Sequence, residues 1–124
     1  MIPGVTACAE KPPPEYADAI TENILLAMNE DNYARLSEYF NEEMKETMSE
    51  SVFRGNYNFM VIIIGDYVSK EFWKTEAQGI YKTVYYKADF TEEPDDVIVK
   101  IVFQEIGGEI YVAGLWFDSP KLRE

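Results

Sequence analysis

The sequence predicts an α+β domain in which three N-terminal helices cover a four-stranded antiparallel sheet. Two observations carry this prediction. Apolar residues recur every three to four positions up to Gly65 and about every second position beyond it, the helical and the extended periods. Gly107-Gly108 then separates two alternating runs, as a two-residue hairpin turn does.

The elements follow in order. Residues 1–14, "MIPGVTACAEKPPP", have four prolines and no period, and read as a flexible tail and stiff spacer. Pro14 suits a helix start, and Glu15 and Asp18 suit the positive end of a helix dipole. Tyr16, Ile20, Ile24, Ala27 and Met28 make an amphipathic stripe over Glu15 to Glu30, and "NEDN" breaks it. A short second helix carries Tyr33, Leu36, Tyr39 and Phe40, and Asn41 caps a further turn over "EEMKETMS". Thr47 to Glu50 has capping-box spacing ahead of a third helix, where Val52, Phe53, Asn56, Phe59, Met60 and Ile63 keep the period. Val61 to Ile64 has strand propensity, but Gly65 stands where a left-handed residue ends a helix, which favours the helix.

Four strands are expected after Gly65: "YVSKEFWK", "GIYKTVYYKADF", "DVIVKIVFQEI" and "EIYVAGLWFDS", with "TEEPDD" joining the second to the third. The glycine turn sets Ile106 opposite Glu109, Phe103 opposite Val112 and Val99 opposite Trp116. One face then carries Val97, Val99, Ile101, Phe103, Ile110, Val112, Gly114 and Trp116, joined by Val84, Tyr86, Ala88 and Phe90 if Phe90 faces Val97. It is almost wholly apolar and should meet the helices. The other face mixes Lys87, Asp89, Lys100 and Gln104 with Tyr85, Val102, Tyr111, Leu115 and Phe117. A bulge near the glycines would move the last strand by one place.

Composition removes whole classes of function. The 124 residues make one domain with room for a packed core. Acidic residues number 23 against 11 basic ones, a formal charge of −12, which repels phosphate backbones and anionic headgroups. Histidine is absent, so no Ser-His-Asp or Cys-His arrangement and no His-based metal site can form within the chain. One cysteine makes no internal disulfide and no thiolate cage. The acidic run "EEPDD" at Glu92 to Asp96 lacks the alternating ligands and central glycine of a calcium loop. No metal and no cofactor are expected. The longest apolar run, "FMVIIIG", is far short of a membrane span.

The stretches "EDNYARLSEYFNEEMKETMS", "IIGDYVS", "VYYKADF" and "EIYVAGLWF" resemble the nuclear-transport-factor-2-like (cystatin-like) superfamily. Within it the chain is most similar to an uncharacterised secreted or lipoprotein branch of bacteria and archaea, a domain of unknown function. The resemblance covers residues 15–118 and leaves 119–124 as a C-terminal tail. It implies a cone, a curved sheet wrapped around a long helix, and it says almost nothing about activity, since this fold hosts isomerases, dehydratases, hydrolases and binding modules.

Three sets of residues become candidates. Cys8 reads either as an incidental thiol in a tail or as the lipidation site of a lipobox, because "VTAC" has its aliphatic, small and alanine positions and a spacer follows. Only Met1 to Ala7 precede it, without the basic and apolar regions of a signal peptide. The second reading places the protein outside the cytoplasm, with an anchor at Cys8. An apolar ligand pocket is expected from Tyr86, Phe103, Trp116 and Phe59. The expected role is non-catalytic binding of a small apolar ligand or a partner protein. The alternative is a carboxylate-dependent isomerase or dehydratase acting on a hydrophobic carbonyl compound, with Asp118 at the rim as base and Tyr86 as donor. The third set, Tyr85, Val102, Tyr111, Leu115 and Phe117, forms an apolar strip on the outer sheet face and predicts a sheet-to-sheet homodimer.

Overall fold

The computed structural model describes residues 13–123, apart from the side chains of residues 94–96. Cys8 and the rest of residues 1–12 therefore lie outside the described residues. The order is α1 (Glu15–Asn29), α2 (Tyr33–Leu36), α3 (Glu42–Thr47), α4 (Glu50–Ile64), then β1 (Tyr67–Gln78), β2 (Tyr81–Phe90), β3 (Glu93–Ile106) and β4 (Glu109–Asp118). The strands form one antiparallel meander, β1-β2-β3-β4. No described helix is long and apolar enough to cross a membrane.

Helix α1 keeps its predicted stripe. Ala17, Ile20, Thr21, Ile24, Leu25, Ala27 and Met28 are buried against the sheet. Helix α2 stops at Leu36 because the edge of β4 captures the chain beyond it. Val112 N–H donates to Tyr39 O at 2.6 Å and Asn41 N–H to Val112 O at 3.0 Å, a short parallel bridge. Asn32 and Asn41 cap α2 and α3 through their side-chain oxygens. The capping box at Thr47 is not formed. Its hydroxyl donates back to Glu43 O at 3.1 Å, so it closes α3 instead of opening α4, and Ser49 takes the N-cap position. Val61 to Ile64 is helical, and Gly65 ends α4 with φ of 81°. The Thr91 hydroxyl packs onto the Gly65 Cα where a side chain would stand and accepts from Asp66 N–H at 3.0 Å. The end of α4 is thereby clipped to the β2–β3 turn.

The sheet begins earlier in β3 than expected. Phe90 pairs with Glu93 and Ala88 with Val97, leaving Thr91-Glu92 as the link in place of all of "TEEPDD". The reason is local: Glu93 is buried, and its carboxylate accepts from Lys121 N–H at 3.0 Å. The inner face holds Val84, Tyr86, Ala88, Phe90, Val97, Val99, Ile101, Phe103 and Val112, all buried.

The last strand departs from the expected register. Ile106 opposes Glu109 and Phe103 opposes Val112 as predicted, but Val102 opposes Gly114, leaving Ala113 as an extra, unpaired residue. Such a bulge inverts every side chain after it. Val99 therefore faces Phe117, not Trp116. Leu115 turns inward, 6% exposed, while Trp116 turns outward, 52% exposed. Deleting Ala113 should close the ladder with Leu115 and Phe117 still inside and Trp116 still outside, so the stability read from urea denaturation should change by only about 1 kcal/mol. A loss of about 3 kcal/mol or more would mean that the strand had slipped and exposed Leu115 and Phe117.

A second feature was not anticipated: a lysine on the inner face of β1. Lys70, opposite Ala88, has a side chain only 6% exposed. Its Nζ lies 3.0 Å from Asp18 Oδ1 and 2.9 Å from Glu22 Oε1 of α1, and 5.2 Å from the Tyr86 ring centroid. The Tyr67 hydroxyl donates to the same Glu22 oxygen at 2.7 Å. The two α1 carboxylates, one turn apart, thus carry the amine that the sheet buries. Partial burial raises the Glu22 pKa, but the hydrogen bonds from Tyr67 and Lys70 together outweigh it and bring it below its ordinary value of 4.5. A depressed carboxylate stabilises the fold above its unfolded pKa and loses that contribution as pH falls through its folded one. The stability gap between wild type and Glu22→Gln should therefore be constant at neutral pH and close as pH falls below 4.5, measured by urea midpoints across the acid range.

Candidate functional site

The cone is filled at one end and open at the other. Tyr86 and Phe103, two of the expected pocket residues, are packed solid between sheet and α1, and Tyr16 lies edge-on to Phe103 at 5.1 Å. The Tyr86 hydroxyl makes no hydrogen bond of good geometry. Burial, with the negative charge of Asp18, pushes its pKa far above the ordinary phenol range.

At the C-terminal end of α1 an apolar cavity of about 310 Å³ remains. Met28 of α1 and Leu36 of α2 form its floor, and Met48 closes one side. From α4 come Phe53, Asn56, Tyr57 and Met60, the i, i+3, i+4, i+7 positions of one helical face, with Phe59 at the rim and 56% exposed. The bulged β4 supplies Leu115, Trp116 and Phe117. Leu122 completes the wall, because residues 119–123 fold back instead of trailing as a tail. Ser119 is buried and accepts from Leu122 N–H at 3.1 Å, and Lys121 Nζ donates to Glu92 O at 2.6 Å.

The cavity is chemically quiet. Asn56 and Tyr57 bring polar side-chain atoms to the lining, and no lining residue is charged. Burial, then the charges of Asp66 and Asp31, raise the Tyr57 pKa, so its phenol stays protonated. Three thioethers, from Met28, Met48 and Met60, give a wall that adapts to shape. The arrangement can hold an apolar molecule and offers no base to move a proton.

Of the predicted pocket, Phe59 and Trp116 line the cavity while Tyr86 and Phe103 do not. Asp118 and Tyr86 do not meet. The bulge puts Asp118 on the outer face, 57% exposed, where both its oxygens take Arg123 Nη1 at 2.7 Å. The acid–phenol pair of the catalytic alternative is therefore not formed. The outer strip is corrected by the same bulge: Leu115 is buried, and Phe117 stands against Phe90 inside, with ring centroids 6.4 Å apart. Tyr85, Val102 and Tyr111 stay on the outer face, interrupted by lysines. Lys74 lies over Tyr85 and Trp73 at 4.7 and 4.6 Å, and Lys100 over Trp116 at 4.8 Å. The acidic run Glu92–Asp96 includes side chains outside the described residues.

Sequence reasoning missed Met28, Met48, Leu36 and Leu122. The first three look like ordinary core positions, and Leu122 sits in a polar, proline-led terminus. It also missed what Gly114 does. The Trp116 indole lies flat over it, occupying the place of a Cβ, with Lys100 on the ring. Gly114→Ala should lift the indole from the sheet, shifting its fluorescence to the red and costing about 1 kcal/mol in thermal or urea unfolding. An unchanged spectrum would show that the indole rests on other contacts.

A family model described as a protein of unknown function, DUF3887, matches residues 21–107. No curated protein matches the chain. Four solved chains do. One, named Rd1NTF2_05 and carrying five substitutions, superposes with a TM-score of 0.57 at 11% identity, over 84% of this chain and 97% of that one. Another is an NTF2-like protein of unknown function from Cytophaga hutchinsonii ATCC 33406, with a TM-score of 0.42 at 16% identity, over 92% and 99% of the two chains. The first likeness shows the NTF2-like fold and nothing of activity.

Proposed function

The chain belongs to the DUF3887 family, and from that premise we propose that it is a non-catalytic binding domain that takes a small apolar ligand into the cavity between α4 and β4. The observation that carries this reading is the cavity itself. Its volume of about 310 Å³ is at the small end of ligand pockets, its walls are apolar, and a few neutral polar atoms stand among them. A solid core would have spoken for a purely structural domain.

The surroundings support uptake from water. Phe59 and Trp116 are large, half-exposed rings at the mouth, and the exposed face of α4 continues them with Val52 and with Ile62, 80% exposed. Apolar surface left in water at a cavity mouth gains from a ligand that covers it. Non-catalytic binding fits the lining, since the carboxylates and the amine of the inner face are paired with one another at Lys70.

The neutral dye Nile red should bind saturably with one molecule per chain and brighten. Filling the cavity by Met60→Trp should weaken that binding by about tenfold or more while the cooperative unfolding transition persists. Binding that never saturates, or that survives Met60→Trp, would sink the reading.

A further inference from the structure

We infer that this cavity, in the binding role proposed above on which the inference rests, selects a neutral, flat molecule of about two fused rings and rejects the corresponding carboxylate. The size comes first. A dry apolar cavity of about 150 Å³ holds one benzene, so a space of about 310 Å³ holds about two rings.

The shape of the walls agrees. Aromatic side chains border the space from two elements, Phe53, Tyr57 and Phe59 from α4 and Phe117 from β4. Phe53 and Tyr57 are stacked on each other, 5.8 Å apart with 27° between their planes, and so present aligned ring surfaces. A flat guest meets such walls by offset stacking or edge contact, and the methionine sulfurs take its ring edges. A flexible chain would lose more rotational freedom for the same contact.

The charge selection follows from what the lining lacks and what surrounds it. An anion inside would find the neutral donors of Asn56 and Tyr57 and no cation among the lining residues. Three arginines and one lysine are adjacent in sequence to lining residues; each arginine is held by a carboxylate, Arg35 by Glu30 at 2.9 Å, and the Lys121 amine donates to the Glu92 carbonyl at 2.6 Å. Arg54 is bound by Asp31 at 2.7 Å and Glu50 at 2.9 Å, and Arg123 by both oxygens of Asp118. Burial first, and then the charges of Asp66 and Asp31, raise the Tyr57 pKa, and those same charges oppose any entering negative charge. A buried carboxylate without a partner is disfavoured strongly enough to prevent binding. A neutral carbonyl or hydroxyl needs only one of the donors.

The test uses a matched pair, 2-acetylnaphthalene and 2-naphthoate, with 1-decanol as a flexible neutral control. Titrations are followed by the heat of binding, on the chain with no substitution. At about pH 7.5, where the naphthoate is ionised, the ketone should bind about tenfold or more tightly than the acid. That preference should persist near 1 M salt, where surface repulsion is screened within about 3 Å and only desolvation in the cavity remains. Equal or tighter naphthoate binding, or a preference that salt abolishes, overturns the selection against anions. Decanol binding without acetylnaphthalene binding overturns the two-ring assignment and leaves the ligand cavity standing. Failure of all three, with Nile red also unbound, overturns the cavity's binding role as well.

Discussion

One unpaired residue, Ala113, decides how the last third of the sheet is used. A strand has two faces and a period of two, so an extra residue cannot be absorbed gradually. Before it, Val112 packs inside; after it, Leu115 and Phe117 do, while Gly114, Trp116 and Asp118 look outward. The cavity, the solvated Asp118 and the broken apolar strip on the outer face are three results of the same insertion. Were Ala113 instead paired in a regular ladder, Trp116 would fill the space beside α4 and Asp118 would stand at the rim.

The helices and the second and third strands were legible because their burial is one-sided. Ile20, Ile24 and Met28 recur at every fourth place in α1, and Val97, Val99, Ile101 and Phe103 at every second place in β3, so both sets could be placed from spacing alone. Residues 112–117, "VAGLWF", give no such guide. Each has a small or apolar neighbour, so both registers look equally apolar, and the choice is made by tertiary packing against Phe90 and α4. The family and the fold were legible in longer stretches, which tolerate a slip of one place. The site was only half legible, since it draws on four helices, β4 and a terminal turn that no local period connects.

The buried amine of β1 shows the opposite failing of pattern reading. Lys70 sits in "YVSKEFWK" among polar residues, where alternation with two bulges gives no clear inward set. It is tolerated inside because α1 brings Asp18 and Glu22, one turn apart, to the same edge, and because its ammonium group lies over the Tyr86 ring. An unpaired charge there would be costly, whereas a doubly bonded one sets the angle at which α1 crosses the sheet. Asn29 reinforces it at the other end, donating to Tyr67 O at 2.8 Å and accepting from Tyr67 N–H at 2.9 Å. The helix is thus held at both ends by polar contacts and along its length by apolar ones.

Helix α4 is attached differently, and this bears on kinetics. Its fully buried residues are Phe53 in the first turn and Ile64 in the last, with the Thr91 clip beyond Gly65. A segment fastened near its two ends and only half buried between them opens at a free energy well below that of global unfolding. The same helix supplies the largest share of the cavity wall. For the proposed binding role, such excursions of α4 would widen the mouth, and a guest that damped them would lengthen its own residence.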